Sequence, residues 1–216
     1  MNVPFTTEQF FEVMKNYNIS VFPAQLILIL TGIFTLILIH SKSSLKNILT
    51  GGFLGVLWIW TGIVYHLAFF TAINNAAYVF FGLFILQGVL LLIDTFISKN
   101  LEFEFKAQSK DYIAYFFIVF GLIIYPVLIY FLENSLQTTI TLGLPCPTTI
   151  FTFGFLMLTT AIFPKYLLII PSIWSVIGTS AAFNFGVYPD YLMIISAIIA
   201  NFYLLRRKKL QEEPDK

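Results

Sequence analysis

The sequence predicts an all-α integral membrane protein, a single polytopic bundle of about seven transmembrane helices. Hydrophobic residues make up 58% of the chain and charged residues only 11%. A soluble domain carries about 25% charged residues, so these few charges could not cover a water-facing surface. Long apolar runs and an uneven distribution of Lys and Arg point the same way. The lipid bilayer is therefore the first predicted partner.

Seven apolar segments of spanning type follow one another. A helix needs about 20 mainly apolar residues to cross about 30 Å of hydrocarbon, because its backbone groups must bond internally. The predicted spans are residues 21–39, 48–70, 76–97, 112–132, 147–163, 166–185 and 191–205. The fifth and seventh are short, so bundles of six or eight helices remain alternatives. We treat residues 1–216 as one membrane domain.

A short amphipathic helix is predicted ahead of the first span, over residues 6–17. Thr6 and Gln9 have the spacing of a capping box, and Phe10 and Met14 share an apolar face. The charged residues here do not fit a signal peptide, so we expect the first helix to remain in the mature protein. We expect the amphipathic helix to anchor at the membrane surface. The alternative is a cover over the mouth of the bundle.

Basic residues indicate the orientation. With the N-terminus outside, eleven of the twelve Lys and Arg residues fall in cytoplasmic segments, and only Lys15 lies outside. Positive charge collects on the cytoplasmic side of membrane proteins. The sequence thus predicts the cell (inner, cytoplasmic) membrane, an outside N-terminus and a basic cytoplasmic tail over residues 206–216. The net charge of +1 indicates no nucleic-acid partner.

An internal three-plus-one-plus-three repeat is a hypothesis that the odd helix number suggests. Trp60 and Trp174 each precede an Ala-Phe pair by eight residues, and Pro23 and Pro147 stand at the start of the first and fifth spans. Such a topology would be similar to that of the small seven-helix sugar transporters of the SWEET type. The chain has no sequence motif of that family, and topology alone does not give a function.

Polar side chains inside the spans mark the candidate site, because burying them in lipid is costly. Most lie near the predicted outer side, so we expect an outward-facing polar cavity there. Its expected lining residues are Tyr65, His66, Asn74, Gln87, Tyr125, Glu133, Cys146 and Thr148. No Lys, Arg or Glu lies in the middle of a span, which favours an uncharged or weakly polar solute. The last span has no lysine for a retinal Schiff base.

Several short segments resemble an uncharacterised bacterial family of small polytopic membrane proteins, a domain of unknown function. They include residues 4–10 (PFTTEQF), Tyr65-His66, Tyr125-Pro126 and, most specifically, residues 143–151 (GLPCPTTIF). The resemblance extends over nearly the whole chain. It implies membership of that family and no particular activity.

Three functional hypotheses follow. The first is a transporter or channel for a small solute, and the second is a membrane-embedded enzyme or a ligand or metal sensor that uses Cys146 and His66. The third is a structural membrane protein without a ligand. A polar path that continues past Gln87 would favour transport, and a pocket closed at that level would favour the second hypothesis. The sequence does not indicate an oligomeric state.

Metal and cofactor chemistry has little support in the sequence. A closed zinc site takes four ligands, whereas the chain has one cysteine and two histidines. His40 falls on the side opposite His66 and Cys146. We therefore predict no cofactor and no metal site, and only the pair of His66 and Cys146 remains as a candidate for either metal binding or nucleophilic chemistry.

Overall fold

The computed structural model describes residues 4–160 and 163–211, which form ten α-helices linked by short 3₁₀ and π-helical segments. The helices are α1 Thr7–Val21, α2 Ala24–Leu38, α3 Lys46–Trp60, α4 Ala77–Phe96, α5 Ser109–Val119, α6 Tyr125–Glu133, α7 Pro145–Met157, α8 Ile169–Gly178, α9 Ser180–Phe185 and α10 Tyr191–Gln211.

Among the residues that the structure describes, five helical stretches are long and apolar enough to cross a membrane. They are Lys46–Ala72, Ala77–Phe96, Ser109–Glu133, Lys165–Phe185 and Tyr188–Arg206. Helices α1 and α2 meet at 84° and would add a sixth if the bent pair formed one span. The predicted all-α, membrane-type architecture is confirmed at this level. Seven helices, the orientation and the internal repeat stay predictions.

Successive stretches run in opposite directions, so the connections gather at two ends of the bundle. At one end, which we call the lid end, Asn18 of α1 donates hydrogen bonds to the carbonyls of Gln137 and Thr139. At the other, which we call the connector end, the backbone of Glu102 and Glu104 bonds to residues 158–160. These pairings close the bundle at both ends through the connecting segments.

Helix α7 differs from the predicted fifth span. Its 13 residues extend about 20 Å at 1.5 Å per residue, too short for about 30 Å of hydrocarbon. Every residue from Pro147 to Met157 is buried, because α3, α5, α8 and α10 surround it. Beyond Met157 the chain pairs with the segment between α4 and α5, where Thr160 N–H donates to Glu102 O over 2.8 Å. Within the predicted span 147–163, the helical part Pro147–Met157 is therefore central and covered by its neighbours, and the span itself stays a prediction.

Glycines allow the closest helix contacts. A Cβ at Gly88 of α4 would lie 2.7 Å from the carbonyl oxygen of Gly55 in α3, and one at Gly154 of α7 would lie 2.7 Å from that of Ala114 in α5. Neither distance leaves room for a side chain. Small residues have the same role in other membrane helix pairs, where they let backbones approach.

Two π-helical segments interrupt the long helices near the lid end. One, Thr61–Leu67, prolongs α3, and the other, Phe120–Ile124, joins α5 to α6 just before Pro126. Proline has no N–H and its ring clashes with the carbonyl four residues earlier, so the helix widens ahead of it. Such segments often occur at functional sites. Here they place Tyr65 and Tyr125 at the level of a cavity.

Candidate functional site

A cavity of about 110 Å³ lies beneath α1 at the lid end. Its wall is mainly apolar, and the aromatic residues that contribute to it are Phe5, Phe10, Tyr65, Phe70, Phe80, Trp174 and Phe185. An engineered protein cavity of about 150 Å³ admits benzene, so this one has room for a molecule of similar or slightly smaller size. Its aromatic lining differs from the polar lining that the sequence predicts.

The polar part of the cavity centres on Asp190. Its carboxylate oxygen Oδ1 accepts a 2.5 Å hydrogen bond from the hydroxyl of Tyr125. Cys146 lines the same cavity. Trp174 lines it too, and no atom of the described residues accepts a hydrogen bond from its indole N–H. One carboxylate and one free donor thus face a small aromatic space.

The turn between α9 and α10 brings Asp190 into the bundle. Helix α9 ends at Phe185, and Gly186 takes a left-handed conformation (φ 73°) that suits glycine at a helix end. The chain then forms a 3₁₀ turn over Tyr188–Asp190. The hydroxyl of Thr179 donates to the carbonyl of Asp190 over 3.3 Å. The carboxylate is consequently fixed at 1% exposure.

Helix α1 covers the cavity instead of lying apart from it. Phe10 and Met14 are buried, and the Phe10 ring stacks on Phe185 with centroids 4.7 Å apart. The predicted capping box is confirmed, since Thr6 N–H donates to Gln9 Oε1 (2.9 Å) and Gln9 N–H to Thr6 Oγ1 (3.3 Å). Phe10 and Met14 thus lie over the cavity, and the choice between a surface anchor and a cover over the mouth stays a prediction.

Two hydrogen bonds of Tyr17 hold the C-terminal end of α1. The hydroxyl of Tyr17 donates to Gly143 O (3.3 Å) and accepts from the indole N–H of Trp60 (2.9 Å). Tyr17 is fully buried. Gly143 has φ 99°, and a Cβ there would lie 2.6 Å from Leu28. The loop before α7 therefore needs glycine where α1 is fastened.

The structure brings together half of the predicted site residues. Tyr65, Asn74 and Cys146 line the cavity, and Tyr125 reaches it through Asp190. Asn74 also closes the turn before α4, where its Oδ1 accepts from Ala76 N–H over 3.0 Å.

The other four residues lie elsewhere. Glu133 is exposed at the end of α6. Thr148 is buried and accepts a hydrogen bond from Gly143 N–H. Gln87 lies two turns below Phe80, with its side-chain N–H bonded to Leu167 O. None of these, nor His66, lines the cavity.

His66 packs as an aromatic residue. Its ring is fully buried and lies 4.5 Å from Phe84 and 5.1 Å from Trp174, centroid to centroid. Neither nitrogen has a hydrogen-bond partner, so it forms no hydrogen-bonded pair with Cys146. Residues 4–160 and 163–211 also contain no group of three or more residues able to hold a metal ion.

Pro145 and Pro147 both lie in the first turn of α7. Helix α7 begins at Pro145, so Cys146 lies in the same turn. The hydroxyl of Thr149 donates back to Pro145 O over 2.8 Å. Proline suits the first turn because its missing N–H is not needed there.

Sequence reasoning missed Asp190 and Trp174 as cavity residues. A usable signal was present: Asp190 is a lone carboxylate directly before the last apolar stretch, in the turn Gly186–Asp190 that contains a proline. Its insertion into the bundle depends on the path of that turn, which sequence does not show.

The fold and the cavity define a polytopic helical protein of membrane type with a covered, aromatic pocket near one end. The chain belongs to DUF6064, a family of unknown function, whose model matches residues 7–215. No curated protein and no solved structure matches it.

Proposed function

We propose that this protein is a membrane-embedded receptor that holds a small molecule in the cavity beneath α1. The observation that carries the proposal is a space of about 110 Å³ bounded by α1 on one side and, on the other, by the half-buried Cys146 and by Asp190 with its hydrogen bond to Tyr125. Small-molecule sites are typically concave and apolar, with a few convergent polar groups.

The way α1 is attached would let a ligand enter and leave. Phe10 and Met14, in the N-terminal half of α1, close the cavity through apolar contacts, whereas the hydrogen bonds from α1 to the rest of the bundle lie at its C-terminal end, at Tyr17 and Asn18. The N-terminal half of α1 can therefore separate from the bundle while the C-terminal end stays attached. A ligand would enter by that route.

The level below the cavity favours binding over transport. Gln87 lies about 10 Å beyond Phe80 along α4 at 1.5 Å per residue, and its amide is bonded to Leu167 O. Between them, Trp58 and Phe84 are fully buried with ring centroids 4.4 Å apart. The hypothesis of a transporter or channel would need this level to open.

The positive-inside rule gives the receptor its direction. Lys15 lies at the lid end, while Lys42, Lys99, Lys165 and Arg206 belong to connections and helix ends at the connector end. With the N-terminus outside, the cavity faces the cell exterior or periplasm. The protein would then report on a solute that reaches the outer face of the cell membrane.

A cavity-filling variant tests the proposal. Ala181 lines the cavity and is 8% exposed, so Ala181→Phe would place a ring in the space. The probe is 1-butanol, and binding to purified protein is followed by ligand-observed NMR. We expect saturable binding to the wild type and loss of it in Ala181→Phe, with binding retained in the control Ala76→Phe, which alters an exposed alanine at the same end.

Two results would contradict it. Equal binding by Ala181→Phe and the wild type would place the probe outside the cavity. Butanol flux into proteoliposomes above the lipid background would support the transporter instead, provided that Ala181→Phe stopped it.

A further inference from the structure

The cavity contains a buried carboxylate without a positive partner. Asp190 is 1% exposed. Among the described residues, the ion pairs are Lys106–Glu104 and Lys110–Asp111, both at the connector end. Tyr125 gives Asp190 a hydrogen bond but no charge. Buried charges in proteins are normally paired, because an isolated one is costly to remove from water.

The wall around this carboxylate suits a cation. Aromatic faces attract positive charge, most strongly where water is excluded. Phe5, Phe10 and Phe185 form a stacked group on the lid side, with centroids of 4.7 to 6.3 Å between neighbours. Phe80 and Trp174 contribute a second group, edge to face at 5.2 Å. An ammonium ion surrounded by rings and one carboxylate would satisfy both features at once.

The charge of the lid end agrees with this chemistry. Helix α1 carries Glu8 and Glu12 on its exposed face, α6 ends at Glu133, and Lys15 is the basic residue among them. A surface of one charge sign raises the local concentration of ligands of the other. Cations would therefore be drawn toward the covered mouth.

We propose that the ligand is a small organic amine, bound as its ammonium ion with Asp190 as the counter-charge. The cavity of about 110 Å³ limits it to about the size of benzene or less. The unpaired indole N–H of Trp174 offers a donor, so an amine that also carries an oxygen acceptor, such as an amino alcohol, fits the site best. This inference rests on the proposed receptor function and names its ligand class.

Two matched pairs of probes, each a cation and a neutral alcohol of similar shape, separate the effect of charge from that of shape. The dissociation constants of n-butylammonium and 1-butanol, and of tetramethylammonium and tert-butanol, are measured by NMR titration at one pH and salt concentration. We expect each cation to bind the wild type about tenfold or more tightly than its neutral partner. In Asp190→Asn this preference falls to about unity, because the amide keeps an acceptor for Tyr125 and removes the charge.

Two further variants show whether a lost preference comes from the missing charge or from a folding defect. Glu133→Gln removes an exposed carboxylate at the same end and should keep the full preference. Phe185→Leu keeps an apolar side chain and removes one aromatic face, so it should weaken cation binding more than alcohol binding even if Asp190→Asn fails to fold.

The outcomes are distinct. Equal affinity for cation and alcohol in the wild type, or a preference that survives Asp190→Asn, overturns the amine and leaves the receptor standing. Binding of neither probe overturns both. A preference that disappears in Asp190→Asn and persists in Glu133→Gln supports the amine.

Discussion

The hydroxyl of Tyr125 donates a hydrogen bond of 2.5 Å to Oδ1 of Asp190, across 65 residues of sequence. Tyr125 opens α6 directly after a π-helical segment, and Asp190 closes the turn before α10. Both side chains are buried. The bond ties two separate stretches together at the wall of the cavity and fixes the carboxylate that faces it.

Removing the hydrogen bond between Tyr125 and Asp190 should destabilise the fold. We expect Tyr125→Phe to lower the free energy of unfolding by about 1–3 kcal/mol, because a buried carboxylate loses its donor. The measurement is denaturant unfolding in a mixed micelle. Tyr130→Phe, on the same helix and 38% exposed, should change little. Additive effects of Tyr125→Phe and Asp190→Asn in a double-mutant cycle would contradict the pairing.

The attachment of α1 depends on Tyr17. In Tyr17→Phe the indole N–H of Trp60 loses its acceptor and Gly143 O loses a donor, so the amides over residues 7–21 should exchange with deuterium several-fold faster. Hydrogen-exchange mass spectrometry measures the change. Asn16→Ala, on the exposed face of the same helix, is the control. Unchanged exchange in Tyr17→Phe would mean that apolar contacts alone hold α1.

Close packing of α3 and α4 predicts opposite effects at two glycines of one helix. Gly88→Ala would bring a Cβ to 2.7 Å from Gly55 O, while a Cβ at Gly82 meets nothing within 4 Å. We expect Gly88→Ala to destabilise the protein by about 1–3 kcal/mol, and Gly82→Ala to be neutral or stabilising by up to about 1 kcal/mol. The measurement is the melting temperature of each variant. Equal melting temperatures would refute the close contact.

Among the described residues, the connector end contains one ion pair with a buried carboxylate and one exposed ion pair. Asp111 is fully buried and accepts from Lys106 N–H (2.9 Å), Gln108 N–H (3.2 Å) and Lys110 Nζ (2.6 Å). Asp111→Ala should therefore lower the unfolding free energy by about 2 kcal/mol or more. Glu104→Gln breaks a pair whose side chains are both 49% exposed, and should cost less than about 1 kcal/mol. A reversed order in chemical unfolding would contradict this assignment.

Much of the architecture was predictable because it follows from local or periodic patterns. Apolar runs located the long helices, and the spacing of Thr6 and Gln9 located the start of α1. Tyr65, Asn74 and Cys146 were expected at a cavity and lie at one. These features depend on composition or on residues close together in sequence.

The features that sequence did not show depend on the three-dimensional arrangement of the helices and on the path of one turn. Nothing in the composition of α7 separates a lipid-facing helix from one enclosed by its neighbours, so residues 147–163 were predicted as a span. His66 was expected at the cavity because it is polar, yet surrounding rings enclose it. Asp190 enters the site only because Gly186 turns the chain back.

Cys146 allows the most direct test, because it lies at the cavity and is the only cysteine in the sequence. The measurement is the rate at which methyl methanethiosulfonate modifies the intact protein, followed by mass spectrometry. If α1 covers a cavity that binds a small amine, modification is slow, n-butylammonium slows it further in a saturable way, and Ala181→Phe abolishes that protection. A rate that n-butylammonium leaves unchanged, or protection that persists in Ala181→Phe, would contradict the account.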